Sequence, residues 1–328
     1  MTTNKVSIII PCYNALPFIK ETLDCVFNQT YKNIEVIIVD DGSTDGTLEF
    51  LKTLSSPNLI VKPNSGKGAC AARNYGFKLS SGAYLQFLDA DDLLSLDKIE
   101  KQVNDLDLLS NHVSVCSTAH FYHEPEHGII TDHDFLYSTE SPKDFLINLY
   151  GANGKDYNMV QTSAWLTPRA VIEKAGLWDE TLSKDQDGEF FCRVVVNAQG
   201  VSYQPEVKNY YRKHVAGENI ANQKQRRHLE SQFRAIESKL NQLKILENTV
   251  AYKNAFALQY KLLAIDAYPE FKDIYKMAIT NSKALGGSSY EPVLGGNIIE
   301  IVKVTFGWKK AKIFKLFLHQ IKDLIKSK

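Results

Sequence analysis

The sequence has no pair of cysteines at metal-binding or redox spacing. Cys12, Cys25, Cys70, Cys116 and Cys192 are an odd five, scattered along the chain without a CxxC, which excludes a disulfide scaffold, a zinc ribbon and a thioredoxin-like motif. Long hydrophobic runs are missing too. The opening segment, MTTNKVSIIIPCYN, has one short apolar stretch that meets Pro11, far below the ~20 residues of a membrane span or the ~7–15 of a signal-peptide core. The chain is therefore expected in the cytoplasm. Nor is there an excess of either charge, since 38 Lys and Arg balance 38 Asp and Glu, and 44% of residues are hydrophobic; disorder and fibrous repeats are excluded for most of the chain. Two phosphate-binding signatures are absent. No G-x-x-x-x-G-K-[ST] occurs and no G-x-G-x-x-G follows a strand-like run, which argues against P-loop and dinucleotide enzymes.

What is present is an alternation. Val6–Cys12 (VSIIIPC) is a β-branched run of the kind buried on both faces of a parallel sheet. After Pro17, Phe18, Ile19, Leu23, Val26 and Phe27 recur at helical spacing, and Pro17 suits the first turn. Strands are then expected at Glu35–Asp40, Leu59–Lys62 and Ala83–Leu88, with helices over Thr44–Leu54 and Gly68–Leu79. Four strands alternating with three helices within residues 6–88 describe an α/β fold, a Rossmann-like, mostly parallel, doubly wound sheet, whose ligands bind at the carboxyl ends of the strands.

Two acidic clusters fall at those ends. The second strand runs into Asp40-Asp41-Gly42-Ser43-Thr44-Asp45-Gly46 and the fourth into Asp89-Ala90-Asp91-Asp92. Ser43 or Thr44 as a helix N-cap, with Asp45 as a first-turn charge, explains part of the first cluster. Capping does not explain the second, because three carboxylates in one loop repel one another unless a cation or hydrogen-bond donors compensate. With no His or Cys nearby, the donors suit Mg²⁺ or Mn²⁺, which take one or two protein carboxylates and fill the remaining positions with phosphate and water. A diphosphate ligand follows. Asn64-Ser65-Gly66-Lys67-Gly68-Ala69 adds flexible backbone and one cation ahead of a helix.

SIIIPCYNA, QTYKNIEVIIVDDGSTD, NSGKGACAARNYG and YLQFLDADDLL occur in that order. Together they make residues 5–215 resemble the family-2 glycosyltransferases of GT-A fold. The resemblance implies a nucleotide-diphospho-sugar donor, a divalent metal and inverting transfer in a single displacement. Position by position, it puts Pro11 and Tyr13 beside the nucleobase and makes Asp41 the acceptor of a base N–H, most often from uracil. Lys67, Arg73 and Asn74 fall near the nucleotide, although Arg73 and Asn74 also read as a helix-surface ion pair and hydrogen bond. Asp89 and Asp91 match the DxD motif, with Asp91 coordinating metal, Asp89 on the ribose or in the metal shell, and Asp92 capping the next turn. Gly176-Leu177-Trp178-Asp179-Glu180 followed by Ser183-Lys184-Asp185-Gln186-Asp187 matches the element that carries the general base. Asp187 is the candidate and Asp185 the runner-up. Gly188 departs from the aromatic residue often found there. Tyr210-Tyr211-Arg212-Lys213-His214 resembles the closing YR-x-H element, placing Arg212 and His214 near the diphosphate and making Val215–Ala221 a candidate lid. The histidine-rich stretch from His120 to His133 fits no standard zinc spacing and reads as an acceptor-facing loop.

The implied organisation is a catalytic domain over residues 1–220, its nucleotide-sugar half at about 1–95 and its acceptor half at about 96–220, followed by a C-terminal helical extension over 221–328 that the family's catalytic unit does not require. Charge divides at the same point. Residues 221–328 carry 19 basic and 9 acidic side chains, net +10, which leaves −10 for residues 1–220. In the last segment lysines alternate with an apolar stripe from Trp308 to Ile325, a pattern suited to an anionic membrane surface or to packing on the protein itself. Peripheral contact with the inner face of the cell membrane, a lipid-linked or other glycan acceptor in surface polysaccharide synthesis, and a possible homodimer through the tail follow as expectations. Nucleic acid is not expected as a partner, because the acidic sheet edge repels phosphate without metal. A sugar-1-phosphate nucleotidyltransferase is disfavoured by the absence of a G-x-G-T-R-type loop after the first strand. A non-catalytic nucleotide- or glycan-binding relative is disfavoured by the joint presence of Asp41, Asp89, Asp91 and Asp187.

Overall fold

The computed structural model describes residues 4–131, 135–214 and 225–326. The first strands are β1 (Val6–Cys12), β2 (Ile34–Asp40), β3 (Leu59–Pro63) and β4 (Tyr84–Phe87), with helices α1 (Ile19–Phe27), α2 (Thr47–Thr53) and α3 (Ala69–Leu79) between them. There follow β5 (Leu93–Leu94), α4 (Lys98–Leu106), β6 (Val113–Phe121), β7 (Ile129–Ile130), α5 (Pro142–Leu149), β8 (Trp165–Pro168), α6 (Arg169–Ala175), α7 (Gln186–Asn197) and β9 (Val201–Arg212). The chain continues as α8 (Arg226–Gln242), α9 (Val250–Ala267), α10 (Lys272–Ala284), α11 (Asn297–Phe306) and α12 (Trp308–Lys326).

One sheet carries the strands in the order β3-β2-β1-β4-β8-β6-β9-β5, with β7 on β6. The four N-terminal strands are parallel, as their β-branched runs imply. Beyond them, β8 lies antiparallel to both β4 and β6 while β6 and β9 are parallel, so this part of the sheet is mixed. Strand alternation divides the core: Ile8, Ile10 and Ile38 face α1 and α4 in one cluster, while Ile9 and Ile37 face the other. α3 lies close against β1. A Cβ on Gly76 would stand 2.4 Å from Ile9 Cγ2, so Gly76→Ala is expected to destabilise the fold by roughly 1–3 kcal/mol of overpacking, less the ~1 kcal/mol that alanine's helix propensity returns. A urea midpoint above that of the wild type would contradict this packing.

Helix α2 begins at Thr47, three residues later than the sequence pattern gives, because the Asp45 carboxylate accepts the Thr47 N–H at 3.0 Å and the Leu16 N–H at 3.1 Å. Neither Ser43 nor Thr44 is the cap. Ser43 Oγ accepts the Asn14 N–H instead, and the Thr44 N–H goes to Asn14 Oδ1. The buried cluster that contains Ile9 runs on through Leu229, Ile236, Leu243, Tyr252, Phe256 and Tyr260. The C-terminal helices thus share a hydrophobic core with residues 1–220. None of the five cysteines is in a disulfide, and Cys25 alone among them is only partly buried.

Candidate active site

β1, β2 and β4 end at one edge of the sheet, with Cys12 opposite Asp40 and Ile9 opposite Phe87. Each cluster hangs from one of these ends. Asp40 is buried and turns the chain by accepting the Gly42 and Ser43 N–H groups, both at 3.1 Å. Asp41 follows, partly exposed, accepting the Gly68 N–H at 2.8 Å and Asn64 Nδ2 at 2.7 Å. The second-strand cluster is thereby tied to the loop before α3. Pro11 lies within β1, Tyr13 just past it is 60% exposed, and Lys67 is exposed on the tied loop.

The three carboxylates after β4 have three different environments. Asp92 is buried, accepting Ser163 Oγ at 2.8 Å and the Arg212 N–H at 3.2 Å. The sequence reading made it a turn cap; it is instead a cross-tie between the strand ends, and burial beside Asp91 and Asp89 drives its carboxyl well above the usual range. Asp91 accepts His214 Nε2 at 2.7 Å. Burial raises its carboxyl, with Asp89 adding to the rise and His214 opposing it. Asp89 accepts Arg73 Nη2 at 2.7 Å.

Arg73 is not on a helix surface. It is 4% exposed, its guanidinium lies 4.5 Å over the Trp178 ring, and its Nε and Nη1 are buried without a partner. Asn74, expected beside the nucleotide, is committed to the same distant segment: it donates to Trp178 O at 2.9 Å and Glu180 Oε1 at 2.8 Å and accepts the Trp178 N–H at 2.9 Å. Both amide hydrogens are spent there, so Asn74 braces the site from behind. Arg212 is similarly occupied. It donates to Asp91 O at 3.0 Å and Glu21 Oε2 at 2.6 Å, between the rings of Phe18 and Phe121, and so fixes the backbone that carries Asp91. The lid candidate, Val215–Ala221, lies outside the described residues, as does His133.

Asp187 stands in the first turn of α7, partly buried. Burial raises its carboxyl, Asp185 raises it further, and Arg73 opposes the rise. Asp185 occupies the residue before the helix at φ 59° and is consumed by an ion pair with Lys239 at 2.6 Å. That separates the two candidates, because the Asp185 carboxylate is already engaged by the buried lysine. Burial raises the Tyr211 hydroxyl, and the carboxylates of Asp92, Asp89, Asp91 and Asp187 raise it further. Sequence reasoning missed Ser163, which no motif marks, and Lys239. The latter had a signal: it falls on the apolar stripe of α8 with Leu229, Ile236 and Leu243.

The profile described as Glycosyl transferase family 2 matches residues 7–174, more than half of the chain. The chain belongs to glycosyl transferase family 2. An uncharacterised glycosyltransferase of Rickettsia typhi is 35% identical over 191 residues, covering 57% of this chain and 58% of that protein. WfaP of Escherichia coli, named a UDP-Glc:alpha-D-GlcNAc-diphosphoundecaprenol beta-1,3-glucosyltransferase, is 44% identical over 100 residues, 30% of this chain and 40% of WfaP. The matched part of the chain thus corresponds to about half the length, or less, of these relatives. Among solved structures, residues 1–349 of S. aureus TarS with UDP-GlcNAc superpose with a TM-score of 0.61 at 18% identity, covering 89% of this chain and 95% of that one. The mannosyltransferase PcManGT of Pyrobaculum calidifontis, in complex with GDP-Man and Mn²⁺, gives 0.51 at 19% identity and 87% coverage of both. At these identities the likeness is one of fold, and it agrees with the GT-A architecture and its helical C-terminal region.

Among the described residues no group of three or more His, Cys, Asp or Glu is arranged to hold a metal. The chemistry of the donors nevertheless fits a divalent cation in this glycosyltransferase. Asp89 and Asp91 each engage one oxygen, with Arg73 and His214 respectively, and two carboxylates suffice where phosphate and water complete the shell. Burial is the main reason the Asp91 carboxyl is raised, and a cation would offset the part that repulsion from Asp89 adds.

Proposed function

We propose that this glycosyltransferase moves a hexosyl or N-acetylhexosaminyl group, with inversion, from a UDP-sugar to a hydroxyl of a glycan or lipid-linked glycan. The observation that carries the reading is Arg73, a buried guanidinium with two unpartnered nitrogens between Asp89 and Trp178. Unsatisfied buried donors are costly, and diphosphate oxygens would satisfy them by separate charge-assisted bonds, one to each nitrogen. In this proposal residues 1–220 form the catalytic unit. Tyr13 and Pro11 flank the base, Asp41 accepts its N–H, Lys67 approaches the phosphates, and Asp89 and Asp91 hold Mn²⁺ or Mg²⁺. The metal when bound supplies charge neutralisation for the departing nucleoside diphosphate. Asp187 takes the proton from the acceptor hydroxyl as its oxygen attacks the anomeric carbon from the face opposite the leaving group. The raised affinity of Asp187 for a proton suits that task.

A lipid-linked acceptor is supported by the tail. Ile298, Ile301 and Phe306 on α11 and Ile313, Leu316, Phe317 and Ile321 on α12 are exposed, while Lys312 and Lys315 bond inward to backbone carbonyls. No helix among the described residues is long and apolar enough to cross a membrane, but such a face beside exposed Lys309 and Lys310 suits an anionic interface. The same face is the candidate dimer surface, so vesicle flotation and sedimentation distinguish its uses.

Thermal unfolding with UDP, GDP, dTDP and CMP, each with and without Mn²⁺, tests the donor class. Ligand at ~100 times its dissociation constant adds about 2.7 kcal/mol to the folded state. The expected result is stabilisation by UDP that requires Mn²⁺ and is lost in Asp91→Ala. Equal stabilisation without metal would overturn the metal dependence, and a response to GDP alone would overturn the UDP assignment.

A further inference from the structure

We propose that Lys239, supplied by α8 of the C-terminal region, is a positioning residue of the active site: by fixing the Asp185 carboxylate it sets the first turn of α7 and hence the place of Asp187. The inference rests on reading Asp187 as the base. Lys239 is fully buried, and its ammonium is 2.6 Å from Asp185 Oδ2, 3.5 Å from the Tyr157 hydroxyl and 5.1 Å from the centre of the Tyr150 ring. The two tyrosine rings stack at 6.1 Å, and Tyr150 donates to Gly188 O at 3.4 Å. The pocket therefore grips α7 from both sides of the ion pair.

Gly188 explains why the carboxylate fits. A Cβ there would lie 2.2 Å from Asp185 Oδ1 and 3.6 Å from Lys239 Nζ, so the missing side chain is the space in which the pair forms. Asp185 also adopts a left-handed backbone at φ 59°, a conformation unfavourable for a residue with a Cβ unless surrounding contacts impose it. Those contacts come from the C-terminal helices. Ser231 Oγ accepts the Ser183 N–H at 2.8 Å and the Lys184 N–H at 3.0 Å and donates to Lys184 O at 2.9 Å, and Lys184 pairs with Asp266 at 3.5 Å. A buried ion pair is a weak route to stability, since apolar residues of equal volume often serve as well or better. Its place two residues before the base gives it a use that apolar packing would not supply.

The charged and titratable groups that interact electrostatically with Asp187 are Asp185 just before its helix, Arg73 and Cys70 of α3, Tyr157 between α5 and β8, and Tyr211 of β9. Of these Asp185 is the anion that Lys239 neutralises. Removing the lysine leaves two neighbouring carboxylates that titrate as a pair, with proton uptake beginning at higher pH.

The test uses the full chain labelled with ¹³C-carboxyl aspartate, the Asp187 signal being assigned with Asp187→Asn. In Lys239→Met the Asp187 titration should move up by about one pH unit, and kcat/KM for UDP release, measured with the UDP-sugar and acceptor that the wild type turns over, should fall by roughly 10–100-fold. In Lys239→Met with Asp185→Asn the midpoint should return to the wild-type value or below while the rate stays low. An unchanged midpoint and rate in folded Lys239→Met would overturn the proposal. Should that variant not fold, Asp185→Asn alone decides: a lower midpoint with a lower rate supports the link, and wild-type values for both overturn it. Full transfer by Asp187→Asn would instead overturn the base assignment, leaving the titration results to stand on their own.

Discussion

Asp187→Asn should lower kcat/KM for transfer by roughly 10²–10⁴-fold, about 3–5 kcal/mol of transition-state stabilisation, while nucleotide-dependent thermal stabilisation remains. The substitution keeps the shape of the side chain and its place in the first turn of α7 but removes its capacity to accept a proton. A neighbour cannot take over. Asp185 is held in its ion pair with Lys239, and Asp92 is buried against Ser163 and the Arg212 amide. The pH dependence carries a sign. Burial and Asp185 raise the Asp187 carboxyl above the ordinary aspartate value, and only the ionised form is a base, so wild-type activity should plateau at higher pH and fall as pH drops through that raised value. The residual activity of the asparagine variant should lose this acid limb. Full activity, or an acid limb that survives the substitution, would move the base elsewhere.

How legible the site was in the sequence depended on the range of the interaction. β1 to β4 and the helices between them follow from local pattern, because parallel strands buried on both faces are written as continuous β-branched runs and their carboxyl ends as Asp and Gly. Asp89 and Asp91 at the end of β4 belong to this legible part. Arg73 does not: its surface or interior placement is decided by Trp178, a ring supplied 105 residues later, which α3 cannot reveal. Asp92 is the same case, reading locally as a turn residue and becoming a cross-tie once Ser163, just ahead of β8, and the end of β9 arrive beside it. The insertion of β8 between β4 and β6 is a long-range pairing with no short-range signature. Gly188 was visible as a departure from the family's aromatic, yet its meaning lay in Lys239, on a helix that the resemblance does not cover. Local composition therefore locates the carboxylates at the ends of β2 and β4, whereas the surroundings of Arg73, Asp92 and Asp187 are written in contacts between distant segments.

Trp178→Ala should be the most destabilising single change in this region, by roughly 3–5 kcal/mol. The ring is 3% exposed and stacked on Phe190 with centroids 4.0 Å apart and an 11° interplanar angle, with Phe87 edge-on at 5.3 Å and Phe191 at 5.9 Å. Truncation opens a cavity among three aromatic side chains and strips the Arg73 guanidinium of the face it lies on. The second consequence reaches the site. With Asp89 as its remaining partner, Arg73 loses the constraint that holds its two unpartnered nitrogens in place, so stabilisation by UDP with Mn²⁺ should weaken along with the fold. Trp178→Phe separates the effects, because a smaller ring keeps an aromatic face for Arg73 while giving up part of the buried area, at an expected cost of about 1–3 kcal/mol. Urea unfolding and nucleotide-dependent melting of the two variants provide the measurements. If Trp178→Ala weakens the fold but leaves nucleotide stabilisation intact, Arg73 owes its position to Asp89 alone; if both variants unfold near the wild-type midpoint, the aromatic stack does not hold the site.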